Sequence, residues 1–478
     1  MSEPQPPPRA TRRILTEPRR PAWIRESPSA PWLAVGTVCV GAFMGQLDAS
    51  IVSAALPFLQ SNFHASIAAV EWVVLVYVLV LAGTVAAVGK VADRIGRKLL
   101  YTYGFGIFVA GSAACALAPS LGLLVVARVV QAIGAVMLQA NSYALIRDVL
   151  PSERLGTGLG VQGAAQAVGL SVGPVLGGVL TALGGWRLIF IVNVPIGLIG
   201  LTLGWFLLPR STHRDPASRI DVRGTVLLAA IPSAGLAALS LAAQPGTPAW
   251  TVPALVVLAV LLIAVAYARQ RLAPGAVIDS LLIRIPPFIA GISAALLSYA
   301  VLFSCLVAVP FFLSNERHLG PAAIGLELTA LPLALAVVAP LGGLIRDRAG
   351  PRLPSGLGMA MTALGMGILA LATTHAELTV LALAVAGAGL GLFIPANNAA
   401  TMSAAPPERG GAAGGLLNMS RGLGTAVGVT VTSISFAAGR GLITVSLLML
   451  AVSIAAGIIG VAWGATSSRI ARVGEGFG

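Results

Sequence analysis

Charge is what this sequence has least of. Only 10% of its 478 residues are Asp, Glu, Lys or Arg, against about 25% in an average soluble domain. Hydrophobic residues make up 57%, and the mean hydropathy is +0.91. So few charges cannot cover the water-facing surface of a chain this long. That excludes a soluble enzyme, a nucleic-acid binder and a disordered scaffold, and leaves a membrane-embedded protein. Cysteine is scarce: Cys39, Cys115 and Cys305 all fall in apolar runs, where they read as small packing residues rather than disulfides or metal ligands. The four histidines, His64, His213, His318 and His375, fall in loops, so none reads as a proton relay inside a bilayer. A glycine-rich phosphate loop ending in Lys-Ser/Thr is missing, which argues against direct ATP hydrolysis as the energy source. No cofactor is expected, and without a nucleophile–base set or metal-ligand cluster the chain does not read as an enzyme. Lysine supplies 2 of the 30 basic residues. That arginine bias, with abundant Ala and Gly, hints at a high-GC bacterium.

What is present is a series of long apolar runs. Backbone groups in lipid must be satisfied within the structure, so only helices or closed barrels can span. Barrel strands would alternate over about 10 residues, whereas these runs reach the roughly 20 residues of a spanning helix. Polar punctuation cuts them into fourteen: 32–59, 70–91, 99–118, 121–146, 155–182, 187–208, 224–243, 251–268, 287–314, 322–344, 354–374, 377–403, 410–436 and 441–465. Residues 1–31 hold eight prolines and six arginines and read as a disordered cytoplasmic tail rather than a signal peptide. With fourteen spans both termini share a side. Counted that way, 25 basic residues lie on the termini's side and three, Arg187, Arg317 and Arg440, on the other; Arg128 and Arg421 fall within spans. This bias places both termini in the cytoplasm of a multi-pass protein of the bacterial plasma (inner) membrane. It also accounts for the net charge of +13 without nucleic acid.

The chain repeats itself. Gly89-Lys-Val-Ala-Asp93-Arg94-Ile-Gly96-Arg97-Lys98 returns at an offset of 254 as Gly343-Leu-Ile-Arg-Asp347-Arg348-Ala-Gly350-Pro-Arg352. Pro151-Ser-Glu153-Arg154 returns at 255 as Pro406-Pro-Glu408-Arg409, and Gly156, Gly160, Gly169 and Gly173 fall on Gly411, Gly415, Gly424 and Gly428. A shared offset at two loops and a helix means duplication. The expected organisation is a six-helix half at 32–208, a linker at 209–286 with two extra helices, a second six-helix half at 287–465 and a tail at 466–478. Two helical repeats around a midplane site form the architecture of a secondary transporter.

These residues resemble a known family. Gly89 to Lys98 resembles the loop signature of the major facilitator superfamily. Leu47-Asp48-Ala-Ser50-Ile-Val-Ser53-Ala-Ala-Leu-Pro57 resembles the first-helix motif of its fourteen-helix drug:proton antiporters. Arg128-Val-Val-Gln131-Ala-Ile-Gly134-Ala135 resembles their fourth-helix motif, and Gly169-Leu-Ser-Val-Gly173-Pro174-Val-Leu-Gly177-Gly178 their fifth-helix antiporter motif. Trp186-Arg187…Asn193-Val-Pro195-Ile-Gly197 and Pro395-Ala-Asn397-Asn398 also fit, over residues 32–465 in all. Ser50 and Ser53 stand where Thr and Asn are usual, and Glu71 where a neutral polar residue is common.

The resemblance implies an all-α membrane protein of fourteen helices that exports lipophilic drugs in exchange for protons. An intramembrane carboxylate is costly and marks a functional site. One balanced between burial, which disfavours its charge, and a nearby cation, which favours it, can take up and release a proton. Asp48 lies roughly 16 Å and Arg128 roughly 10 Å from the charge-poor ends of their spans. Arginine can bridge that difference, so the two are expected to pair, either for coupling or as a fixed ion pair. Glu71 and Glu327 read as attractors of a cationic cargo or second proton sites, with acids at helix starts as the plainer alternative. Arg421 reads as a direct transport residue, a holder of helix ends or the partner of a carboxylate. The resemblance makes Gly89, Asp93, Arg94, Gly96, Arg97 and Lys98 a conformational latch. Gly169, Gly173 and Gly177 form a smooth stripe for close packing, with Gly178 beside it and Pro174 as a kink. Trp72, Tyr77, Tyr143, Phe303 and Phe393 are the aromatic candidates for stacking on a planar drug, with core packing as the plainer alternative. The expected partners are a small lipophilic substrate, protons and the bilayer; a monomer is expected, and no nucleic acid. The rivals are a dedicated exporter of one metabolite, such as an antibiotic, siderophore or lipid, and a non-transporting membrane scaffold.

Overall fold

The computed structural model describes residue 17, residues 20–211, 250–272, 281–372, 377–406 and 409–474, and isolated positions between 224 and 238. Among the described residues the regular structure is helical throughout. The long helices are α1 (Ala30–Phe63), α2 (Trp72–Ile95), α3 (Arg97–Ala116), α4 (Leu121–Val149), α5 (Ser152–Gly184), α6 (Asn193–Leu207), α7 (Thr251–Leu272), α8 (Pro286–Asn315), α9 (Ala330–Ala349), α10 (Arg352–Leu371), α11 (Leu378–Ser403), α12 (Gly410–Ala437) and α13 (Gly441–Gly474). Short helices at Ile67–Val70, Leu188–Ile191 and Pro321–Leu328 lead into α2, α6 and α9.

Eleven helices among the described residues are long and apolar enough to cross a membrane, where the sequence led us to expect fourteen. The differences have separate causes. Helix α12 runs 28 residues, but Asn418, Ser420, Arg421, Thr425, Thr430, Thr432, Ser433 and Ser435 dilute its apolar content. It is an interior helix, packed on α8 and α2. Helix α7 is 22 residues long and apolar from Val252 to Ala268, but several of its side chains lie outside the described residues. The expected span 224–243 lies largely outside the described residues. The expectation of a structureless 1–31 needs correcting where the chain is described. Ala22–Arg25 is helical, Ile24 is buried, and α1 begins at Ala30. Glu17 accepts from the Ser211 N–H (2.7 Å) and hydroxyl (2.8 Å) just beyond α6. The proline and arginine content hid one apolar anchor and one carboxylate.

The duplication is written in backbone angles. His64 (φ 48°) ends α1 and His318 (φ 54°) follows α8; Gly96 (φ 117°) and Gly350 (φ 78°) separate α2 from α3 and α9 from α10. Each pair is 254 apart in sequence. A left-handed turn is tolerated by glycine at little cost, which is why the glycines at 96 and 350 stay fixed in the two loops. Helix pairing follows the same scheme: α1–α5 matches α8–α12, α3–α4 matches α10–α11, and α2–α4 matches α9–α11.

The halves meet through a repeat-related pair of crossings. Helix α5 packs on Pro321–Leu328 and α9, and α12 packs on α2; α1 and α8 also touch. At the end of the bundle poor in basic residues the α5 crossing is backbone on backbone. A methyl on Gly178 would collide with the Pro321 carbonyl, and one on Gly325 with the Pro174 carbonyl. Toward that end every residue of Ser50–Pro57 in α1 and of Ala300–Leu313 in α8 is buried. Toward the basic end burial on both helices becomes intermittent. The bundle is therefore shut between its halves at the charge-poor end. Gly178→Leu should force that end apart. Spin labels at Asn62 and Asn315 should report a longer distance in the variant; an unchanged distribution would mean that this crossing does not hold the closure.

Candidate functional site

Two fully buried charges define the site. Asp48 sits midway along α1 and Arg128 in the second turn of α4, and neither side chain has any exposed surface. The Arg128 Nη1 donates to Asp48 Oδ2 (2.6 Å) and to Gln131 Oε1 (2.6 Å). Its Nε donates to the Val73 carbonyl at the start of α2 (2.9 Å). The other carboxylate oxygen accepts from Gln131 Nε2 (2.9 Å) and Asn193 Nδ2 (3.0 Å). Gln131 Nε2 also donates to the Ser112 hydroxyl (2.8 Å). The Arg128 guanidinium lies 4.3 Å from the Tyr77 ring centre and 5.8 Å from that of Phe190.

Local sequence explains the assembly. Arg128 and Gln131 are three apart on a helix and share a face. Gly111 and Gly134 let α3 and α4 approach backbone to backbone: a methyl on Gly111 would strike Gln131, and one on Gly134 would strike Phe108. The network draws on α1, α2, α3, α4 and α6, all in the first half. A buried ion pair repays its desolvation only when further hydrogen bonds complete it. Here the completion is nearly full. Arg128 Nη2, Asn193 Oδ1 and the Tyr77 hydroxyl are the groups of the cluster left buried without a hydrogen-bond partner.

The pairing of Asp48 with Arg128 matches the sequence reading, and the contacts are those of the fixed-ion-pair alternative in this conformation. Gln131 lies in the fourth-helix motif and Asn193 in the Trp186–Gly197 stretch, and neither is a charged residue that draws the eye in the sequence. Their signal was two amides in apolar helices, where an unpaired amide is costly. Glu71 is buried at the start of α2, not displayed in a vestibule. Glu327 is partly buried, with Oε2 unpartnered. Arg421 is separate from the Asp48 cluster: its Nη1 donates to Asn418 Oδ1 (3.2 Å), and its guanidinium lies 5.5 Å from the Tyr299 ring centre.

The loop expected to act as a latch is tied within its own half. Arg97 Nη1 donates to both Asp148 oxygens at the end of α4 (3.0 and 2.8 Å). Lys98 Nζ donates to the Leu208 carbonyl (2.7 Å), and its N–H to the Ser211 hydroxyl (3.3 Å). The side chain of Asp93 is outside the described residues. Gly89 has open space around it, and Arg94 is exposed. The stripe on α5 does what its spacing implies: Gly169 meets the Phe43 carbonyl, Gly173 the Ser50 side chain and Gly177 Ile51, all on α1. Gly178 instead faces the other half. Most of the aromatics follow the packing alternative. Phe303, Phe393 and Tyr77 are core residues, Trp72 packs against the core, and Tyr143 is 51% exposed on α4. Tyr299, beside Arg421, was missed; a single tyrosine among apolar residues gives little signal.

The Major Facilitator Superfamily model matches residues 38–306 and 291–472. The riboflavin transporter RibZ of Clostridioides difficile is 31% identical over 408 residues, covering 85% of this chain and 88% of that protein. The tetracenomycin C resistance and export protein of Streptomyces glaucescens is 31% identical over 418 residues, covering 86% and 77%. A solved structure of the peptide transporter POT superposes with a TM-score of 0.67 at 17% identity, covering 96% of this chain and 98% of that one, which supports the fold.

The ion pair makes a sharp prediction. Asp48→Ala strands the Arg128 charge and should cost about 3–5 kcal/mol of stability. The double substitution Asp48→Leu with Arg128→Met should recover most of it. Thermal unfolding in detergent reads both; a double variant as unstable as the single would show that the charge is not the issue.

Proposed function

Because this chain belongs to the Major Facilitator Superfamily, we propose that it is a secondary antiporter that exports a lipophilic small molecule in exchange for protons by alternating access. The observation that carries the reading is the closure of two repeat-related halves at the charge-poor end through close glycine contacts, with burial on α1 and α8 turning intermittent toward the basic end. Rigid-body rocking of such halves is how one midplane site reaches each side in turn. The finer architecture is the fourteen-helix one, with α7 and the 224–243 run as the inserted pair. The basic end faces the cytoplasm of a bacterial plasma membrane, by the positive-inside bias, and this conformation is open inward.

Asp48 is the proton site of this scheme. Its carboxylate balances Arg128, and Arg128 in turn holds the Val73 carbonyl at the start of α2. Helix α2 makes one of the two crossings between the halves. Two residues along α1, Ser50 lies against Gly173 of α5, the helix of the other crossing. Protonating Asp48 removes the counter-charge and loosens that grip; losing the proton restores it. Protons and cargo then occupy alternate states.

Inverted vesicles carrying a pH gradient test the reading. Ethidium, tetraphenylphosphonium, nalidixic acid and neutral antibiotics are added in turn, and proton release is followed. The wild type should release protons on addition of cargo, and Asp48→Asn at equal membrane level should not. Full gradient-driven efflux by that variant would sink the proton assignment. The single-compound names of the two relatives support a narrower second reading, a dedicated carrier of one metabolite; a response confined to one member of a broad panel would favour it.

A further inference from the structure

Arg421 takes no part in the Asp48 network, and its position is unusual. It is the twelfth residue of the 28-residue α12, roughly 17 Å along it and so at membrane depth. It is partly exposed there. The next residue, Gly422, lies against Ala82 and Val78 of α2 in the other half, so Arg421 stands beside the crossing of α12 and α2. A guanidinium at that depth is tolerated where it faces a water-filled cavity or a partner, not lipid. Among the described residues no carboxylate forms an ion pair with it. Of its five N–H donors, one bonds Asn418 Oδ1, and the buried Nε has no partner. The repeat-related residue on α5 is the neutral Gln166, so the charge belongs to one half only. Beside it Tyr299 and Phe303 stack at 6.5 Å with planes 20° apart, and Tyr299 is partly exposed.

We propose that Arg421 and Tyr299 form the charge-selecting part of the cargo site, and that the cargo is a planar molecule bearing an anionic oxygen group such as a carboxylate. This rests on reading the space between the halves as the transport cavity. The guanidinium fork suits a carboxylate, and the ring beside it offers a ledge for a planar body. The acids that suggested a cationic cargo are less well placed. Glu71 is 1% exposed, and Glu327 stands on the Pro321–Leu328 segment at the closed end.

The test is equilibrium binding to the purified full-length protein in detergent at neutral pH, with nalidixic acid, its primary amide and ethidium as probes. The wild type should bind the acid roughly tenfold or more tightly than the amide, the worth of a charge-assisted bond. Arg421→Gln should erase that difference while leaving amide binding within about twofold of its original value. Arg421→Lys should keep part of it. Elution profile and melting temperature confirm that each variant is folded. Asp48→Asn should keep the preference for the acid, so failure of the proton scheme and failure of this site are separate results. Equal binding of acid and amide, tighter binding of ethidium, no binding of the acid, or a preference that survives Arg421→Gln would each overturn the proposal.

Discussion

The first half of the molecule is organised by the need to keep two opposite charges satisfied away from water. Asp48 and Arg128 have no exposed surface, and the desolvation of such a pair is offset only by close geometry and further hydrogen bonds. Those bonds come from Gln131 on α4, Asn193 on α6 and the Val73 carbonyl on α2. Meeting that requirement fixes where the helices may stand. The glycines that bring α3 against α4 serve the same end, since a wider spacing would take Ser112 out of reach of Gln131. The second half carries no copy of this centre. The positions 254 residues after Asp48 and Arg128 are Leu302 and Ala382, both buried and apolar. Duplication supplied the scaffold twice and the buried ion pair once.

The contacts between the halves reuse the glycine packing found within them. Inside each half, Gly169 meets the Phe43 carbonyl and Gly387 the Leu331 carbonyl, while hydrogen bonds complete the Asp48 centre. Across the boundary, the α5 crossing is made by glycines against carbonyls. Without a hydrophobic drive between helices in lipid, close backbone approach is what supplies contact. Such surfaces part without stranding a buried charge. On the proposed function, this boundary is where the two halves part as they rock.

Much of this was readable along the chain. The Asp48–Arg128 pairing followed from two rare intramembrane charges at compatible depths, and the stripe of Gly169, Gly173 and Gly177 from its spacing. Other features were out of reach because they depend on which face a residue turns. Phe303 and Phe393 suited either a cavity or the core and lie in the core, while Tyr299, without a signal in the sequence, lies beside Arg421. Glu71 looked like a vestibule acid because it follows a loop, yet the packing closes over it. The short helix at Ala22–Arg25 was hidden by a composition that reads as disorder.

By itself the sequence determined the class, the all-helical membrane fold, the duplication and its offset, and the family. All of these rest on composition, run length and repetition along one dimension, and hydrophobic burial in a bilayer makes them nearly unavoidable. Only the tertiary structure decided which polar residues share a centre, which end of the bundle is shut, and which charged residue stands beside the crossing of α12 and α2. Those depend on helix rotation and approach distance, set by the packing of glycines and side chains from segments 19 to 145 residues apart in the polar centre.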